Sequence, residues 1–129
     1  MVIKAVVAEH DPDVQRTIRA ALESAQFAVT TASDGWDALE RIAATRPDVV
    51  LLDWAMPKMD GLETILHLKI DPATRNIPVI FLTPRSHEAE VRHGIALGGV
   101  GSIPKPLDVA TLVPAVREFL KLAGPEKAG

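Results

Sequence analysis

The chain has no cysteine in 129 residues. That removes disulfide scaffolds, thiol nucleophiles and cysteine-rich zinc sites together, and it fits a reducing compartment. No apolar run approaches the roughly 20 residues of a membrane span. The opening stretch from Met1 to Ala8 holds one lysine and too short an apolar run for a secretory leader. There is no basic run or arginine stripe, and the formal net charge is -3, so no nucleic-acid or membrane surface is expected. Internal repeats, low-complexity segments and a Gly-x-x-x-x-Gly-Lys phosphate loop are also missing. These absences lead to the expectation of a cytoplasmic protein.

What is present is an alternation. Apolar runs read as strands at Val2 to Ala8, Phe27 to Thr31, Val49 to Leu52, Pro78 to Leu82 and, more weakly, Val100 to Ile103. Between them apolar residues recur every three or four positions, as at Val14, Ile18, Leu22 and Ala25, which is helical spacing. Asp11-Pro12 reads as an N-cap followed by proline in the first helical position, and Ser33, Asp60 and Ser86 are further candidate caps. Runs that are apolar on both faces, best seen in Val49-Val50-Leu51-Leu52, belong in a parallel sheet covered by helices. About five β/α units fit the length, giving a doubly wound α/β domain over residues 1–123, with 124–129 as a tail or linker.

In such sheets function gathers beyond the carboxyl ends of the strands. The strand ends here carry Glu9-His10, Asp53 and Thr83, and Lys105 follows the last strand. Taken singly, each has an ordinary structural explanation: a loop acid, a helix cap, a β-branched strand residue, a solvated lysine. Together they supply an acid pair, a carboxylate nucleophile, a hydroxyl donor and a compact cation. That is the set phosphoryl transfer needs, because its catalysis is mostly positioning and charge neutralisation. Other conspicuous residues have plainer roles. Trp36 reads as a helix-surface aromatic, His67, His87 and His93 as solvated residues on helices, and Met56 and Met59 as local packing.

The stretches VVAEHDPDV (6–14), LLDWAMPKMDG (51–61), VIFLTP (79–84) and IPKPL (103–107) follow one another at the spacing of the response-regulator receiver family, which the chain resembles from about residue 2 to residue 121. The resemblance implies a flavodoxin-like receiver: a five-stranded parallel sheet of order 2-1-3-4-5 flanked by five helices. It implies Asp53 as phospho-acceptor, Glu9 and His10 in the acidic-pair positions, a metal contact from the backbone carbonyl of Ala55, and Thr83 and Lys105 on the phosphoryl group. The implied cofactor is Mg²⁺, with Mn²⁺ or another divalent ion as substitutes. The implied partners are a histidine kinase or phosphotransfer protein upstream and a downstream protein or fused output domain. No enzyme activity is implied beyond slow self-phosphorylation and self-dephosphorylation, and signalling would pass through the helix 4–strand 5–helix 5 face.

Five positions depart from that pattern. His10 stands where the family has a metal-binding acid; imidazole suits softer ions than Mg²⁺, and the simpler expectation leaves Mg²⁺ to Glu9, Asp53, a carbonyl and water. Pro84 has no N–H to offer a phosphoryl oxygen, a bond worth ~1.5–3 kcal/mol where the acceptor is charged. Ser102 replaces the aromatic switch residue, and Val100-Gly101 replaces acids at the start of the fifth strand. These departures give a competing expectation, a pseudo-receiver that binds partners with weak or no phosphorylation. A dehalogenase-like phosphatase is disfavoured by Ala55, two residues after the nucleophile, and a flavodoxin-like cofactor site by Glu9-His10-Asp11-Pro12.

Overall fold

The computed structural model describes residues 2–123; the tail expected over 124–129 lies outside them. Strands and helices alternate strictly: β1 (Ile3–Ala8), α1 (Pro12–Ser24), β2 (Phe27–Ala32), α2 (Gly35–Thr45), β3 (Val49–Asp53), α3 (Gly61–Ile70), β4 (Val79–Pro84), α4 (Glu88–Ala96), β5 (Gly101–Lys105) and α5 (Val109–Ala123). All strand pairings are parallel, in the order β2-β1-β3-β4-β5. The doubly wound arrangement expected from the sequence is the one found.

Side-chain alternation along the central strands builds two cores, one on each face of the sheet. Val50 and Leu52 point to the face covered by α2, α3 and α4, where they meet Ile42, Ile65 and Val91. Val49 and Leu51 point to the other, beneath α1 and α5, with Ile18, Leu22 and Leu112. All five residues of β3 are buried. At about 1.5–3 kcal/mol for each buried Val or Leu, both faces contribute heavily, which fixes the register of β3 and with it the height of Asp53.

Helix starts are set by carboxylates. Asp11 accepts from the N–H groups of Asp13 and Val14, and Asp60 from that of Glu63. Two expected caps are corrected. Asp34, not Ser33, caps α2 through the Asp37 N–H, and that bond holds the Asp34 carboxyl below its ordinary range. Ser86 does not open α4 but lies in a 3₁₀ turn, Arg85–His87, that precedes it, and this also moves His87 off the helix. The strands ending in Pro84 and Lys105 run two residues further than their apolar runs. Trp36 is exposed on α2, with its ring edge-on to His67 at 6.1 Å, while Met56 and Met59 are buried beside the β3–α3 loop. Among the described residues, no helix is long and apolar enough to cross a membrane.

Candidate functional site

The parallel register brings the strand ends to one edge. Ala8 pairs with Leu52, Asp53 with Leu82, and Pro84 with Lys105, so residues about a hundred positions apart meet there. Glu9 is held just beyond β1 by its N–H on the Ala32 carbonyl (3.0 Å). From α1, Gln15 Nε2 donates to the carbonyls of both Glu9 and Ala32, at 3.0 and 3.1 Å, and clamps the ends of β1 and β2 together. Both candidate carboxylates are buried: the Glu9 side chain is 0% exposed and Asp53 is 1%.

Their four oxygens divide between the Lys105 ammonium and the His10 imidazole. On one side Lys105 Nζ lies 2.6 Å from Glu9 Oε1 and 3.2 Å from Asp53 Oδ1. On the other, His10 Nδ1 lies 2.5 Å from Asp53 Oδ2 and 3.3 Å from Glu9 Oε2. Backbone N–H groups complete the pattern, Asp11 on Oε2 at 3.0 Å and Ala55 on Oδ1 at 3.3 Å. Burial pushes the Glu9 carboxyl above its ordinary value of 4.5. The Lys105 ammonium and the Asp11 N–H pull it back without offsetting that, and the neighbouring Asp53 adds to the rise.

The residues expected at the site are not equally engaged. Glu9, His10, Asp53 and Lys105 form one contact group, with the imidazole closest of all to Asp53. Thr83 is buried at the same edge, but its hydroxyl donates to the Pro84 carbonyl at 3.0 Å. Ala55 touches Asp53 through its N–H. Glu9, His10 and Asp53 each present a donor atom within 4.8 Å of the others, so the donor set fits a divalent cation. Two oxygens and one imidazole nitrogen make that set less hard than a carboxylate cluster.

Three participants escaped the sequence reading. Gln15 fixes Glu9. Trp54, directly after Asp53, is buried with its ring edge-on to Phe81 at 5.3 Å, and its indole N–H points to Glu90 Oε2 of α4 at 3.4 Å. A side chain at Gly94 would meet both the Phe81 and the Trp54 rings below 3.0 Å, so α4 packs against this pair only because position 94 is glycine. An adjacent signal existed for Gln15 alone, one helical turn past the Asp11 cap. Beside the site lies an open depression of about 470 Å³ bordered by His10, Trp54, Met56, Asp60, His87 and Glu90.

A doubly wound parallel sheet of order 2-1-3-4-5 with a buried acid pair and a lysine at its carboxyl edge defines a class of flavodoxin-like α/β domains. Within it, the sequence profile of the response regulator receiver domain matches residues 5–117, and this chain belongs to that family. It is 33% identical over 126 residues to the phosphate regulon transcriptional regulatory protein PhoB of Rhizobium meliloti, covering 98% of this chain and 56% of PhoB. It is also 33% identical over 128 residues to the response regulator MprA of Mycobacterium bovis, covering 99% of this chain and 55% of MprA. The chain thus spans little more than half the length of these relatives. Among solved structures, the chemotaxis response regulator CheY4 of Vibrio cholerae superposes with a TM-score of 0.87 at 25% identity, over 92% of this chain and 99% of that one.

Proposed function

We propose that this receiver domain accepts a phosphoryl group on the carboxylate of Asp53. The observation that carries the reading is the placement of Asp53: buried at the end of β3, 3.2 Å from the Lys105 ammonium, beside Glu9 and next to an open depression. A carboxylate oxygen attacks the donor phosphorus as the donor's P–N or P–O bond breaks, and the donor departs with that electron pair. Lys105 offsets the charge gathered on the transferred group, and Glu9 and Asp53 are the residues that would hold a divalent ion, Mg²⁺ or Mn²⁺. When bound, such an ion neutralises the acid pair and the incoming phosphoryl oxygens. Thr83, at the same edge, reaches the phosphoryl group once its hydroxyl leaves the Pro84 carbonyl.

In this reading the donor is the phosphohistidine of a kinase or phosphotransfer protein, or a small acyl phosphate, and turnover is confined to slow self-phosphorylation and self-hydrolysis. The family membership and the full-length regulators PhoB and MprA support a two-component role in the cytoplasm. The signal is passed by the α4–β5–α5 face to a downstream protein or an output domain. The unit that does this is residues 1–123.

Intact-mass analysis after incubation with acetyl phosphate and Mg²⁺, Mn²⁺ or Co²⁺ tests the assignment. One phosphoryl adduct, labile to acid, alkali and hydroxylamine as an acyl phosphate is, is expected on the native chain and none on Asp53→Asn. Adduct formation that survives Asp53→Asn, or its absence with Mg²⁺, Mn²⁺ and Co²⁺ alike, overturns it and leaves a partner-binding module.

A further inference from the structure

The two sides of the acid pair are chemically unlike. Lys105 contacts Oε1 and Oδ1 and belongs to the charge neutralisation already described. Oε2 and Oδ2 face His10 Nδ1, and a cation bridging Glu9 and Asp53 away from Lys105 must deal with that nitrogen. We propose that Glu9, His10 and Asp53 form a site selective for a borderline transition-metal dication, of the Co²⁺ or Zn²⁺ kind, over Mg²⁺. The proposal rests on the reading of the acid pair as a cation site and specifies which cation it takes.

The selectivity follows from an exchange of bonds. His10 Nδ1 lies 2.5 Å from Asp53 Oδ2, so any ion that takes Oδ2 breaks this contact. Mg²⁺ prefers oxygen ligands and gives up its water reluctantly, so it recovers nothing from the displaced ring. A transition ion binds imidazole and keeps His10 as a ligand, with only a small parting of Nδ1 from Oδ2. His10 Nδ1 lies 2.5 Å from Asp53 Oδ2 and 3.3 Å from Glu9 Oε2, separations below the roughly 4.4 Å limit for two ligands of one ion at about 2.0–2.2 Å each.

A second observation points the same way. Glu9 is wholly buried, and on the His10 side its Oε2 receives only the Asp11 N–H at 3.0 Å, with the imidazole nitrogen 3.3 Å away, so a dication there adds a partner to a buried carboxylate oxygen. The His10 side chain, by contrast, is 48% exposed, so an ion reaches Nδ1 from solvent without opening the core.

Isothermal titration with CoCl₂ and with MgCl₂, on the full chain in the native form and as His10→Asp and His10→Ala, tests this. His67, His87 and His93 remain in all three proteins, so their binding of Co²⁺ is common background. The expected result is a Co²⁺-over-Mg²⁺ affinity ratio that falls at least about tenfold in His10→Asp, through tighter Mg²⁺ and weaker Co²⁺ binding. His10→Ala is expected to lose the strongest Co²⁺ site and its visible absorption band while binding Mg²⁺ no more weakly than the native chain. A ratio unchanged within about twofold in both variants overturns the selectivity. So does a native chain that binds Mg²⁺ as tightly as His10→Asp does. Acetyl phosphate labelling in the same samples separates the two readings. A native chain labelled on Asp53 but with no Co²⁺ preference loses only the selectivity, whereas a Co²⁺ preference without labelling in either variant or native chain loses only the phospho-acceptor role.

Discussion

The β1–β3 half of the site and the β4–β5 half are built differently. In the first, Glu9, His10 and Asp53 are in mutual contact, and a clamp from Gln15 holds the strand ends. In the second, Lys105 reaches across to the acids, but Thr83 is turned to its own neighbour's carbonyl and Pro84 offers no N–H. Under the proposed reading, the half that would receive a phosphoryl group is assembled, and the half that would report it is not. The contact that does link the Asp53 loop to α4 passes through Trp54 and Glu90. The difference teaches that the acid pair and the Thr83–Pro84 strand end are set independently of each other in this fold.

Lys105→Met tests the contrast most severely, because it leaves two buried carboxylates with the His10 ring as their only basic side-chain partner among the described contacts. Loss of about 3 kcal/mol in urea unfolding at pH 7 is expected, since stranding a buried charge is what makes broken ion pairs expensive. An effect under about 1 kcal/mol would mean that Lys105 is not holding the two halves together.

Glu9→Gln should act in the opposite direction and by less. Because burial raises the Glu9 pKa in the folded state, folding favours the protonated form. The corresponding stability is fully present below the unfolded value near 4.5 and is lost as pH rises through the folded value. Glutamine mimics the protonated acid, so the metal-free variant should melt above the native protein at pH 7. That advantage should vanish once the pH drops below about 4.5. Thermal melts across this range in the presence of chelator check the sign. An equal gain at pH 4 and pH 7 would show that packing, not charge, is responsible.

The smallest effect is expected at the far end of the link. Glu90→Gln keeps the shape but removes the charge from a 3.4 Å bond, so stability should fall by only about 0.5 kcal/mol. Heteronuclear NMR spectra before and after acetyl phosphate should nonetheless show α4 resonances shifting less in this variant. Full retention of the α4 shifts would return the coupling to Thr83.

Much of this was legible in the sequence because parallel strands advertise themselves. β3 is apolar on both faces, and its boundary with Asp53 follows from the change in character at that residue. Glu9, Asp53 and Lys105 were found for the same reason: each closes or follows an apolar run, and the topology does the rest. The extra residues of β4 and β5 were missed because Pro84 and Pro104 look like strand breakers, yet both are tolerated near the strand ends. The inward turn of His10 and the burial of Trp54 depend on side-chain torsions and on what packs above them, and nothing local encodes that. Ser33 lost its expected cap to Asp34, which offers a carboxylate one residue closer to the helix.

The two tryptophans differ in a way that has an optical use. Trp54 sits beside Asp53 and is 8% exposed, whereas Trp36 lies on α2 at 55%. A collisional quencher such as acrylamide will extinguish emission from Trp36 first. What survives comes from the residue adjoining Asp53, giving the chain a built-in fluorescent gauge of that site without any label.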